Sequence, residues 1–313
     1  MAGSTSVVLA ALVANGAIAV LKFGAFLLTG SPSMLSETYH SISDTGNQVF
    51  LLLGIRNSRK APSRDHPFGY GKAQFFYSFL VSVLLFGIAG WESLQHGYDA
   101  VRHGHGGAPG TVTLAGTSVD TIWISVVVLL GAIAFEAYAF TKAYAELRRQ
   151  MTEYGWTGLA EAFRSTSDVT TLTAFTEDAI ALVGAAVALV GIVLSRVTGN
   201  PVYDAVSAVI IGLLLMGFAL ALAWENKRLL LGESVPSELE LAFRSIITEH
   251  PGVAHVDGFR TMFVGPADIL LTADVSFDDD LTAEGVDDDI GRIEAKLRER
   301  DDRVRFTYVE PEL

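Results

Sequence analysis

The sequence contains no cysteine. A disulfide-held scaffold, thiolate catalysis and zinc or iron–sulfur sites built on Cys are therefore excluded. Charge is also scarce. Only 18% of the 313 residues are Asp, Glu, Lys or Arg, whereas a soluble domain carries about a quarter. Basic residues are in deficit, and the formal net charge is −13. A nucleic-acid partner would need a basic face, so that class is set aside. Half of the residues are hydrophobic, which excludes intrinsic disorder. Neither an HExxH motif nor a Ser/His nucleophile arrangement is present, so nothing points to a hydrolase or other enzyme.

What charge there is divides unevenly. Residues 1–231 hold 15 acids and 14 bases, and residues 232–313 hold 20 acids and 8 bases. A nearly neutral, apolar first part is thus followed by a small acidic domain. Its Lys-poor, Asp-rich surface fits either a high-salt cytoplasm or ordinary solubility.

Six apolar stretches lie at 6–29, 33–55, 73–96, 121–147, 170–195 and 202–225. Each is close to the roughly 20 residues that a membrane-spanning helix needs. The first is too long, and its start too poor in bases, for a simple cleaved signal peptide. Bases gather on one side of these stretches. Arg56, Arg59, Lys60, Arg64 and Lys72 follow the second, and Lys142, Arg148, Arg149 and Arg164 follow the fourth; Lys227 and Arg228 end the sixth. The opposite loops are short or nearly free of bases. Both termini are therefore expected in the cytoplasm, as an even number of spans requires.

From Gly232 the pattern changes. Ser237–Glu249 reads as an amphipathic helix, Val256–Val264 and Asp268–Phe277 as strands about a Gly265-Pro266 turn, Ala283–Arg298 as a helix and Val304–Val309 as a strand. The expected fold class is a membrane all-α protein: six transmembrane helices over 1–231, then a cytoplasmic α+β domain over 232–313 in ferredoxin-like α-β-β-α-β order.

Ionisable side chains within spans are costly and mark function. His40 and Asp44, at i and i+4, share a face of the second span. The fourth holds Glu136, the fifth Glu177 and Asp178, and the first Asn15. Lys22 is expected to snorkel to the outer end of its span, leaving the acids without a cation at matching depth. A divalent metal would supply the missing counter-ion. Imidazole nitrogen with carboxylate oxygen suits zinc or another first-row metal. The same groups can hold protons once the metal leaves. A structural polar network between helices would use the same residue types.

The segment from His40 to Asp44, then Gly54 and His66-Pro67-Phe68-Gly69-Tyr70-Gly71-Lys72, resembles the cation diffusion facilitators, divalent-metal/proton antiporters often specific for zinc. The similarity continues through Asp204–Gly212 and Asn226–Glu233. The resemblance implies a homodimer in the lipid bilayer of the cell membrane. Zinc would be the foremost cargo, protons the counter-ion, and no resident cofactor is expected. Manganese, iron(II), cobalt and nickel remain alternatives, as does a membrane metal sensor without flux. It further implies one transport site per protomer, built from two residues four apart on each of the second and fifth spans. His40, Asp44 and Asp178 fill three of these positions, and Ala174 stands at the fourth. The Glu177-Asp178 run, Glu136 and Arg260–Pro266 resemble the mitochondrial-type zinc transporters of the family. Glu177 and Glu136 are accordingly the candidate replacements for the missing ligand, with Asn15, Asn47 and Gln48 around them.

Accessory metal sites look incomplete. Asp65 and His66 are present, but Tyr70 occupies a second His position, which suits a structural or dimer-contact role. The acidic domain has His250 and His255, with Tyr308 where relatives often place a His. Its Asp278–Asp280 and Asp287–Asp289 runs are expected to be solvated, and the domain to dimerise rather than to sense metal. His103 and His105 in the Gly-rich outer loop are a weak candidate for metal capture.

Overall fold

A computed structural model describes residues 2–104, 110–114, 117–159, 161–162 and 169–312. The chain divides into two compact units. One comprises residues 1–52 and 78–224; the other comprises 53–77 and 225–313.

The first unit is helical. Helix α1 (Ala2–Thr29) is almost wholly apolar and stops at Gly30, whose φ of 64° takes the chain out of the helix. Helix α2 (Pro32–Ser58) restarts at once, with Pro32 in the first position, where its missing N–H costs nothing. Ser31 Oγ accepts from the Met34 N–H at 3.2 Å and caps the new helix. Asp204 reinforces this cap from another helix, accepting from the Ser33 N–H at 3.2 Å and the Ser31 hydroxyl at 3.0 Å.

Helix α3 (Ala73–Leu84) passes through a π-helical segment (Leu85–Gly90) into α4 (Trp91–His103). A hairpin of β1 (Thr111–Leu114) and β2 (Thr117–Asp120) leads to α5 (Thr121–Tyr154), whose first turn is capped by Asp120 accepting from the Ile122 N–H. Helices α6 (Val169–Thr198) and α7 (Val202–Leu231) follow. Among the described residues, five helical stretches are long and apolar enough to cross a bilayer: Leu12–Thr29, Ala73–His103, Thr121–Thr152, Ala174–Thr198 and Val202–Leu231. The remaining expected span is α2. Its 27 residues give sufficient length, but Glu37, His40, Asp44 and several serines hold down its hydropathy.

Small residues set the packing. A Cβ on Gly97 would lie 2.7 Å from the Val209 backbone nitrogen, and one on Gly212 would lie 2.6 Å from that of Leu94. Helices α4 and α7 therefore meet backbone to backbone, as helices in lipid often do. The buried core of this unit is rich in Ala, including Ala89, Ala185, Ala188 and Ala219 around Met34, Leu129 and Leu215. Val20, Val127, Val190, Leu213, Leu220 and Trp224 point outward and are exposed. On a soluble protein such a surface would drive aggregation; on membrane helices it faces lipid.

In the second unit, α8 (Ser237–Thr248), β3 (Val253–Gly265), β4 (Asp268–Phe277), α9 (Ala283–Arg300) and β5 (Val304–Glu312) follow in the expected α-β-β-α-β order. The sheet order is β3-β4-β5. The β3–β4 pair is antiparallel, with Gly265 opposite Asp268, and β4–β5 is parallel. Along β4, Ile269, Leu271, Ala273 and Val275 alternate inward and are completely buried. They share one core with Phe243 and Ile247 of α8 and with Ile293 and Leu297 of α9.

The run from His66 to Lys72 belongs to this unit. The His66 ring stacks on Tyr70 at 4.3 Å, Phe68 meets Phe306 edge-on at 5.3 Å, and the Lys72 ammonium donates to the Leu230 carbonyl at 3.4 Å.

Candidate functional site

Three ionisable side chains, Glu37, His40 and Asp44, share one face of α2 at spacings of three and four residues. The His40 ring is buried, and its Nε2 lies 3.2 Å from Asp44 Oδ2, so the carboxylate fixes the orientation of the ring. Helix α6 supplies Glu177 and Asp178, one turn beyond Ala174. The Asn47 amide donates to both Glu177 carboxylate oxygens at 3.3 Å, tying α2 to α6. Asp44 of α2 and Glu177 of α6 interact electrostatically. Two neighbouring buried carboxylates are eased by a proton or a cation.

Glu136 enters from α5. It is buried and lies in electrostatic range of His40, Asp44 and Asp178. Asp178 is likewise in range of Asp44. Asp44 is thus the common neighbour of the other three acids. His40 contacts Asp44, Asn47 contacts Glu177, and Asp178 and Glu136 interact electrostatically with Asp44. Among the described residues, no three His, Asp or Glu side chains stand close enough together to hold one metal ion. Of the amides expected nearby, Asn47 is engaged with Glu177. Gln48 Oε1 is buried with no hydrogen-bond partner among the described residues.

Lys22 departs from expectation. It does not snorkel: the side chain is buried, and its ammonium donates to Glu37 Oε2 at 2.8 Å. A cation is therefore buried in this unit, because a carboxylate fifteen residues away compensates its charge. Sequence reasoning passed over Glu37. The signal that could have found it is its spacing, three residues before His40 and seven before Asp44, which places it on the same helical face.

At the far end of this unit, a cavity of about 310 Å³ is lined by Ser31, Asp120, Ser125, Arg196 and Asp204, among others, and the Arg196 guanidinium pairs with Asp120. The His103 ring engages the Asp99 carbonyl at 3.0 Å. His105, like Arg164, lies outside the described residues.

In the second unit, Asp289 is not the solvated surface acid its run suggests. It is buried beneath the turn at Gly252, accepting from Arg292 and from His250 Nε2, the latter at 2.9 Å. These bonds, Arg292 first, hold its carboxyl below the usual carboxylate range. His255 and Tyr308 are exposed.

Fold and site together define a multi-pass membrane protein whose spans enclose a joined set of His, Asp and Glu side chains. Residues 8–231 match the cation efflux transmembrane domain, and the chain belongs to that family. It is 29% identical over 276 residues to the human protein named "Proton-coupled zinc antiporter SLC30A9, mitochondrial", covering 88% of this chain and 46% of that one. It is 26% identical over 281 residues to metal tolerance protein C4 of Arabidopsis thaliana, covering 90% and 59%. The chain spans about half the length of the curated relatives it matches. A copper form of the MamM C-terminal domain aligns over 24% of this chain and 94% of its own length, with 21% identity and a TM-score of 0.23.

Proposed function

We propose that the chain is a secondary active transporter that exports a divalent metal, foremost zinc, from the cytoplasm in exchange for protons. The observation that carries this reading is the gathering of the His40–Asp44 pair on α2 with Glu177 of α6, which Asn47 of α2 bonds, alongside Asp178 and Glu136. Lys22 is spoken for by Glu37, so these acids still lack a compensating charge. The cargo is that charge. His40, Asp44 and Asp178 hold the ion, and Glu177 or Glu136 takes the place left by Ala174. Small movements of α2 against α6 close this set around the metal and displace the proton between the carboxylates. Rocking of the helices then turns the loaded site outward, the general logic of alternating access.

The name of the human relative, a proton-coupled zinc antiporter, supports both cargo and counter-ion. One imidazole among several carboxylates also accommodates manganese, iron(II), cobalt and nickel. The basic loops place both termini, and with them residues 232–313, in the cytoplasm. The protein works as a homodimer in the cell membrane, although the human relative is named mitochondrial.

Reconstitution into proteoliposomes with a zinc-sensitive dye and an imposed pH gradient tests this reading. Wild-type protein takes up zinc at a rate that follows the gradient, and Asp178→Ala, which remains folded, does not. Uptake by Asp178→Ala at the wild-type rate refutes the site. Stoichiometric metal binding with no flux makes the protein a sensor.

A further inference from the structure

We propose that the Lys22–Glu37 ion pair is the outer lock of the metal path, a role that rests on the transport reading above. The pair joins α1 to α2 through a 2.8 Å contact with both side chains almost fully buried. Chain direction places it outward of the site. With cytoplasmic termini, α2 runs inward, so Glu37 lies about one turn outside His40 and two outside Asp44. Helix α6 runs outward, and Gly184, seven residues after Glu177, returns to the same face two turns further out.

Gly184 and Glu37 meet. A Cβ on Gly184 would lie 2.7 Å from Glu37 Oε1. That oxygen is buried and has no hydrogen-bond partner among the described residues. A free acceptor in such a place is costly, and it faces the seam between α2 and α6 just beyond the site. Lys22 sets a fixed positive charge beside it. A divalent ion moving outward from His40 and Asp44 thus meets an ion pair whose carboxylate is already neutralised by Lys22, and a seam closed by the close approach of Glu37 to Gly184 of α6. Opening to the outside requires α6 to withdraw Gly184 from Glu37 and the pair to shift. Glu37 Oε1 is then the first oxygen the ion reaches after leaving the site.

The chain has no native thiol, so a single introduced cysteine reports this opening without relying on transport. Ala181 is buried on α6 between Glu177 and Gly184. Ala181→Cys is labelled with a membrane-impermeant thiol reagent added to the side opposite the C-terminal domain. Neutralising the lock with Lys22→Met and Glu37→Gln is expected to speed labelling by about tenfold or more, as for a buried site whose local opening has become easier. Equal rates overturn the proposal. Ala219→Cys, in the core of the same unit, is the control: parallel acceleration there means general loosening and overturns it too. Exchanging the charges, Lys22→Glu with Glu37→Lys, is expected to restore slow labelling; a swapped pair as reactive as the neutral one counts against a lock. Absence of zinc uptake by the wild type would defeat the transport reading alone, because the labelling comparison does not depend on flux.

Discussion

Asp204 of α7 accepts from the backbone N–H of Ser33 at 3.2 Å, so α2 begins against a carboxylate supplied by another helix. The negative charge sits at the positive end of the α2 dipole and satisfies donors that a helix start leaves open. Asp204→Ala is expected to destabilise the protein by about 1–2 kcal/mol, seen as a lower Tm in detergent. Asp204→Asn, which keeps an acceptor, should lose less. Equal Tm values for wild type and Asp204→Ala would show that Ser31 alone suffices as the cap.

Asn47 holds both oxygens of Glu177. If Glu177 faces the cargo, Asn47 orients it from behind, and removing such a support costs about 10–100-fold in metal affinity. Asn47→Ala should weaken zinc binding by that factor in a competition titration with a chromophoric chelator. Unchanged affinity would move the missing ligand from Glu177 to Glu136.

At the crossing of α4 and α7, a Cβ on Gly212 would stand 2.6 Å from the Leu94 nitrogen and 3.0 Å from the Gly90 carbonyl oxygen. Backbone cannot step aside as a flexible side chain can. Gly212→Ala should therefore cost about 1–3 kcal/mol through overpacking, measurable as reduced thermal stability. Gly217→Ala, where nothing lies within 4 Å, should be neutral.

Asp289 predicts a pH effect with a definite sign. Its carboxyl is held down by Arg292 and His250, so its folded-state value lies below that of the unfolded chain. The stabilisation is present above the unfolded value of about 3.9 and is lost as pH falls through the folded one. Denaturation of wild type and Asp289→Asn should show a gap at pH 7 that narrows only below about pH 4. A gap that stays constant into strong acid would mean the carboxylate contributes packing rather than charge.

The acidic domain was legible because its signals are local. The period-2 pattern of Ile269, Leu271, Ala273 and Val275 and the turn at Gly265-Pro266 lie within a few residues of one another. Its strands run slightly longer than expected, from Val253 and to Glu312, because pairing with neighbours extends them. All six spans, α2 included, were legible as apolar stretches of spanning length. The Lys22–Glu37 pair was not, since it depends on how α1 meets α2, which no local pattern encodes. Asp289 was misread for the same reason: a third consecutive Asp looks like surface until α9 turns it under His250.

The glycine crossing of α4 and α7 has a mechanical consequence. Two helices whose backbones touch at Gly97 and again at Gly212 cannot slide past each other by small amounts, since any shift drives peptide groups together. They behave as one strut. On the transport reading proposed above, any swing would hinge around this strut, with the joint between α2 and α6, where polar side chains make the contact.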